Sequence, residues 1–109
     1  MLLNKKPDIP PEVVRQHGVE EMEALRFRVG LWRDDYIRHA TTGGGAEELF
    51  LCQDFVNELE EYLYPYVHRL VETEHITREE SVRFMDWCYA QVLEVAKHLG
   101  LEAEEERPQ

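Results

Sequence analysis

The longest periodic segment of this chain covers residues 46–75, and it constrains the fold more than any other feature. Its apolar side chains recur at alternating steps of three and four residues, which places them on one face of an α-helix. The predicted core positions are Leu49, Cys52, Val56, Leu59, Leu63, Tyr66, Leu70 and Thr73. A single helix over this segment would be about 45 Å long. A rod of that length with one apolar face needs other helices to pack against.

Pro65 interrupts the segment. It has no backbone N–H and its ring crowds the preceding turn, so we expect a kink near residues 61–64, or two helices meeting there. Because the apolar period continues through the break, both parts are expected to share one core face.

Two further long helices are predicted, one before and one after the central segment. Residues 19–40 begin with acidic side chains and end with Arg38 and His39, the order that the helix dipole favours. Thr77 and Glu80 have the spacing of a capping box, which predicts a helix start at once after Thr77, and Gly100 is predicted to end that helix. The predicted core positions are Met22, Leu25, Val29, Trp32 and Tyr36 in the first helix, and Val82, Met85, Tyr89, Val92, Ala96 and Leu99 in the last.

The first residues are predicted to be separate from these long helices. Pro11 can open a short helix that runs to His17, and Gly18 would end it in the left-handed conformation. We therefore predict a flexible arm over residues 1–10, one domain over residues 11–100 and an acidic flexible tail over residues 101–109. The predicted fold is all-α: an up-down-up bundle of three long antiparallel helices plus a short N-terminal helix.

The charge of the chain argues against nucleic acid as a partner. Its formal net charge is -11, whereas phosphate backbones attract basic surfaces. Residues 1–45 carry seven Lys and Arg against seven Asp and Glu, and residues 46–109 carry five against sixteen. No apolar run is long enough to cross a membrane and no secretory signal is visible, so the expected location is the cytoplasm. Cys52 and Cys88 are expected to be reduced, buried thiols; the alternative is a disulfide between neighbouring helices.

Four large side chains fall outside the predicted core stripes: Phe27, Leu31, Tyr64 and Trp87. Several such side chains indicate a second buried surface. The simplest arrangement is a two-fold homodimer, in which the same patch meets itself and closes a larger bundle.

Arg33 and His39 lie six residues apart near the end of the first long helix. An Arg followed by a polar residue and, a few residues on, by a His resembles the short motif of HEPN ribonucleases. The resemblance implies helical subunits that pair so that both motifs line one cleft. His39 would then act as acid or base on the ribose hydroxyl and Arg33 would hold the phosphate. As a last-turn residue, His39 would instead complement the helix dipole.

A row of possible metal ligands follows one face of the central segment. His68, Glu72 and His75 share that face, and Glu72-x-x-His75 has the spacing found in two-iron helical bundles. Glu58 and Glu61 extend the row towards the N-terminus. The alternative is a solvated acidic face.

Glu58-x-x-Glu61 also resembles the first carboxylate pair of nucleotide pyrophosphatases of the MazG type, which hold magnesium between two helices. The second pair of that family is missing, because no Glu of the last predicted helix has an Asp three residues on.

No complete catalytic set is present, and no cofactor is expected. The best-supported interpretation is a small acidic, non-catalytic interaction protein, an adaptor or regulator, that works as a homodimer and binds an unidentified protein partner. The HEPN-like ribonuclease and the metal-binding bundle are the alternatives.

Overall fold

The computed structural model describes residues 8–39 and 46–100 of the chain. Its four α-helices are α1 (Pro11–His39), α2 (Ala46–Glu58), α3 (Tyr64–Glu72) and α4 (Arg78–His98). A π-helical turn, Leu59–Leu63, joins α2 directly to α3. Over the described ranges the regular structure is helical and contains no strand, which confirms the predicted all-α class. Residues 1–7 of the predicted arm and the whole predicted tail lie outside the described residues.

Helix α4 is the centre of the structure, because it packs against α1, α2 and α3. Helix α1 also contacts α2, so three rods surround one core: α1, the interrupted α2–α3 rod, and α4. The most deeply buried large side chains are Val29, Phe55, Leu59, Val67, Phe84, Cys88 and Val95. In the part of the chain that the structure describes, no helix is both long and apolar enough to span a bilayer.

The predicted short N-terminal helix is not a separate element. Helix α1 starts at Pro11, as expected, but it continues through Gly18 to His39 without a break. Gly18 is buried where α1 crosses the turn between α3 and α4, against the backbone of His75. The absence of a side chain at Gly18 therefore allows the helix to approach this backbone closely, and it does not mark the end of a helix.

The predicted break in the central helix is the π-helical turn. Just before Pro65, the N–H of Tyr64 bonds to the carbonyl of Leu59, five residues back. Such a turn holds one residue more than an α-helical turn, so the core face keeps its direction while Val67, and not Tyr66, occupies it in α3. Tyr66 is consequently exposed. The predicted core positions Leu49, which precedes this turn in α2, and Thr73, which caps the end of α3, are exposed as well. The buried positions of this rod are Cys52, Phe55, Leu59, Leu63, Val67 and Leu70.

Helix α4 begins at the predicted capping box. The Thr77 hydroxyl accepts from the Glu80 N–H at 3.0 Å, and the Thr77 N–H donates to the Glu80 carboxylate at 2.8 Å. At the other end, Gly100 adopts a φ of 77°, the left-handed conformation expected of a residue that follows a helix.

The core face of α4 differs in part from the prediction. Met85, Val92 and Leu99 are buried as predicted, and Ala96 packs against the core. Val82 is 53% exposed and Tyr89 is 37% exposed. Phe84, Cys88, Gln91 and Val95 are buried in addition.

Two helical glycines of α1 provide a matched test of the contact with His75. A Cβ at Gly18 would overlap the His75 carbonyl oxygen and lie 2.7 Å from its carbon, whereas a Cβ at Gly30 would meet nothing nearer than 3.7 Å. We expect Gly18→Ala to lower the free energy of unfolding by about 1–3 kcal/mol, and Gly30→Ala to raise it by up to about 1 kcal/mol. Urea denaturation of the native protein and both variants measures these changes in the free energy of unfolding. Equal stabilisation by the two substitutions would show that α1 does not approach this turn.

Candidate functional site

The four predicted interface residues occupy three different places. Phe27 and Leu31 lie one turn apart on the outer face of α1 and are 70% and 52% exposed. Tyr64 is 54% exposed and lies on α3 beside α4. Trp87 is half-buried against the core. The structure therefore brings together only Phe27 and Leu31.

A second apolar surface lies on the outer side of the contact between α3 and α4. We call Tyr64, Val82, Tyr89 and Leu93 the α3–α4 surface. Tyr64 and Val82 line one groove of about 260 Å³, and Tyr89 and Leu93 continue along α4 at i+4 spacing. Their exposed fractions lie between 37% and 55%. Acidic side chains border this surface at two points, because the Tyr89 hydroxyl donates to Glu60 at 3.0 Å and Asp86 lines the groove; Arg78 and His68 line the groove as well.

The residues of the ribonuclease-like motif bind different neighbours. Arg33 Nη1 donates to Oε1 of Gln91 on α4 at 2.8 Å, and its Nε donates to Asp34 at 2.9 Å. The His39 side chain is 71% exposed, and its Nδ1 lies 2.9 Å from the carbonyl oxygen of Asp35. Arg33 lines a cleft between the ends of α1 and α4 that His39 does not line. Within one chain the two side chains do not share a site.

Two residues of the predicted metal row, His68 and Glu72, lie on α3 and are solvent-exposed. His68 Nε2 lies 3.3 Å from Glu72 Oε2, with both side chains more than half exposed. His75 belongs to the turn that follows, and its Nδ1 lies 2.7 Å from the Thr73 hydroxyl. Within the described ranges, no group of three or more His, Cys, Asp or Glu is placed to hold a metal ion.

The two carboxylates at the start of that row are in different environments. Glu58 is half-buried and accepts from the Tyr36 hydroxyl on α1 at 3.0 Å, while Glu61 is exposed in the π-helical turn. Burial and then the bond to Glu58 raise the pKa of Tyr36 above its usual range. Glu58 therefore contributes a contact between α1 and α2.

Both cysteines are free and buried, as predicted. Burial raises the pKa of the Cys88 thiol to about 12. A thiol that stays protonated at neutral pH is a poor nucleophile, so Cys88 contributes to the core.

A basic cleft between α1 and the start of α4 was not predicted. We call it the α1–α4 cleft. Its volume is about 260 Å³, and its lining residues are Arg15, Val19, Met22, Glu23, Arg26, His75, Ile76, Glu80 and Arg83. The sequence carried a signal for part of it, because Arg15 and Arg26 are eleven residues apart, which is close to three helical turns. This spacing places Arg15 and Arg26 on one helix face only if α1 runs unbroken through Gly18, which the sequence analysis did not predict.

One end of the α1–α4 cleft is closed by a bidentate ion pair. The two Nη atoms of Arg15 donate to the two carboxylate oxygens of Glu80 at 3.1 and 3.2 Å, and Nη1 also donates to the His75 carbonyl at 3.1 Å. The bond from Arg15, together with the capping bond from Thr77, holds the pKa of Glu80 below its usual range. Arg15 therefore joins α1 to the start of α4.

The opposite end of the cleft holds a stacked arginine. The guanidinium carbon of Arg26 lies 5.5 Å from the ring centroid of Phe84 and 5.8 Å from that of Trp87, within the range of cation–π attraction. The two rings stack on each other with centroids 6.0 Å apart. Arg26 thereby covers the Trp87 ring that the sequence analysis assigned to an interface.

Comparisons with known protein families, with curated proteins and with solved structures found no match. The function of this chain must therefore be inferred from its own side chains.

The ion pair at the cleft predicts a pH dependence of stability. Because the pKa of Glu80 is lowered on folding, its charge stabilises the fold above the unfolded-state pKa of about 4.3, and the stabilisation disappears as the pH falls through the folded-state value. Glu80→Gln retains a capping side chain but removes the charge. We expect it to cost about 1 kcal/mol or less at neutral pH, since the two side chains are 42% and 35% exposed.

Urea denaturation at neutral and acidic pH measures this difference, with Glu79→Gln as the matched control on the exposed first turn of α4. The difference between the native protein and Glu80→Gln should shrink in acid. A difference that stays constant with pH would contradict the ionic contribution of Glu80.

Proposed function

We propose that this chain is a small acidic, non-catalytic interaction protein that works as a homodimer. The observation that carries the proposal is the outer face of α1, where Phe27 and Leu31 are exposed at 70% and 52%. Two large apolar side chains one turn apart on the face opposite Leu25 and Val29 have no role in the core of the monomer. Burial of such side chains is the main source of stability in protein association.

The spacing along this face fits a second copy of the same helix. Exposed residues recur at steps of four and three, the spacing of a helix–helix seam; they are Glu20, Ala24, Phe27, Leu31, Asp34 and Arg38. If two copies of α1 pack antiparallel with their two-fold axis near Val29, Phe27 of one copy faces Leu31 of the other. Glu20 then faces Arg38 of the other copy. A two-fold axis requires this kind of self-complementary surface.

The partner-binding part of the proposal rests on the α3–α4 surface. It lies apart from the outer face of α1, so it stays accessible on both copies of the dimer. The exposed aromatic and aliphatic side chains suit apolar side chains of a partner segment, and Glu60 and Asp86 suit basic ones, while Arg78 borders the groove where α4 begins. We therefore propose a basic amphipathic protein segment as the partner of this surface.

Substitution on the outer face of α1 tests the dimer. The native protein should scatter light with twice the mass of one chain, and Phe27→Ser combined with Leu31→Ser should give the single-chain mass, because the apolar contact is lost from both copies. Leu93→Ser is the matched control, since Leu93 is 55% exposed on a different surface. A native protein that is monomeric at all accessible concentrations would overturn the dimer.

Charge exchange tests the antiparallel geometry of the same dimer. Glu20→Arg or Arg38→Glu alone places like charges opposite each other and should weaken association. The two substitutions together restore opposite charges and should recover most of the lost strength of association. If the double variant is as weak as the single variants, the two helices do not pair about Val29.

Salt-dependent capture tests the α3–α4 surface. We expect Val82→Ser combined with Leu93→Ser to lose a protein that the native chain captures from an extract of its source organism, and we expect raised salt to weaken that capture. Leu49→Ser, 62% exposed on α2, is the control. Equal capture by the native and doubly substituted chains, identified by mass spectrometry, would show that the partner does not bind there.

A further inference from the structure

The α1–α4 cleft holds two arginines without a described anionic partner. Arg15 is neutralised by Glu80. Among the residues whose side chains are described, no carboxylate lies within ion-pair distance of Arg26 or Arg83, although both line the cleft. Arg28, Arg69 and Arg78 also have no ion pair among the described side chains, but Arg26 and Arg83 differ from them because both line one cleft from facing helices.

Arg26 is positioned before any ligand arrives. Its guanidinium rests against both Phe84 and Trp87, so its side chain loses less freedom when an anion binds than a fully extended surface arginine would. Its planar edge keeps N–H donors available, because aromatic stacking uses the face of the group. Arg83 lies one turn before Trp87 on α4 and lines the same cleft from that helix.

The remaining lining of the cleft suits the uncharged part of a ligand. Met22 and Ile76 are buried, and Val19 is 46% exposed. These side chains form an apolar wall beside the arginines. Glu23 also lines the cleft and can accept a hydrogen bond from a hydroxyl group.

We propose that the α1–α4 cleft binds a small phosphorylated molecule, with Arg26 and Arg83 holding its phosphate oxygens. A phosphate group carries close to two negative charges at neutral pH, and arginine binds phosphate oxygens in pairs. Arg15, Arg26 and Arg83 against Glu23 and Glu80 give the lining of the cleft a net charge of +1. The cleft volume of about 260 Å³ suits a small ligand. The acidic remainder of the chain disfavours a long polyanion such as RNA, which would extend beyond the cleft.

Calorimetric titration with phenyl phosphate and with inorganic phosphate tests this site on the full chain. We expect both to bind, and phenyl phosphate to bind more tightly because its ring can contact the apolar wall. Arg26→Gln and Arg83→Gln should each weaken binding by about tenfold or more, since each removes charge-assisted hydrogen bonds. Arg28→Gln is the matched control, because Arg28 is exposed on α1 and does not line the cleft.

Two comparisons make the test decisive. Arg83→Gln leaves the stacking of Arg26 on its rings intact, so a loss of binding in this variant cannot come from that contact, and circular dichroism checks that both variants fold. Absence of heat with the native chain at millimolar phenyl phosphate would overturn the proposal. Equal binding by the native, Arg26→Gln and Arg83→Gln chains would do the same. The outcome is independent of whether the chain dimerises, because neither Phe27 nor Leu31 lines the cleft.

Discussion

The extra residue of the π-helical turn decides which side of α3 faces the core. Phe55, Leu59, Leu63 and Val67 follow one another at steps of four, and in an α-helix each such step drifts by about 40° around the axis. The wider turn at Leu59–Leu63 absorbs that drift, so all four side chains stay buried. Tyr64 consequently lies beside α4 on the outside. The α3–α4 surface exists because the core stripe keeps its direction through this turn.

The α1–α4 cleft depends on a second constraint, the continuity of α1 through Gly18. Because the helix does not end there, its first two turns reach across the turn between α3 and α4 and place Arg15 against Glu80 and the His75 carbonyl. The same contact fixes the start of α4, whose capping box shares the Glu80 carboxylate. The Glu80 side chain therefore couples the start of α4 to the packing of α1 against it.

Features encoded by neighbouring residues could be predicted from the sequence, and features decided by distant contacts could not. The three long helices, the capping box at Thr77 and the end at Gly100 depend on the local sequence, and the structure confirms them, whereas the short N-terminal helix is not a separate element. The prediction that Gly18 ends a helix was wrong, because the absence of a Cβ is compatible both with a helix end and with a close backbone contact. The exposure of Tyr66 depends on the register set by a wider turn. The half-burial of Trp87 depends on its packing against the core and on Arg26 from another helix. The candidate cleft was missed for the same reason, since its arginines come from α1 and α4.

One helix therefore carries three separate faces. Successive residues of an α-helix point about 100° apart, so Leu25, Arg26 and Phe27 are directed to the core, to the α1–α4 cleft and to the outer face respectively. Substitutions at Arg26 and at Phe27 can consequently be made without removing a core side chain. A second copy packed on the outer face would hold α1 more firmly without covering the cleft. If the chain both dimerises and binds a phosphorylated ligand as proposed, any influence of one on the other must pass through the position of α1, which the contact between Gly18 and His75 fixes against the turn before α4.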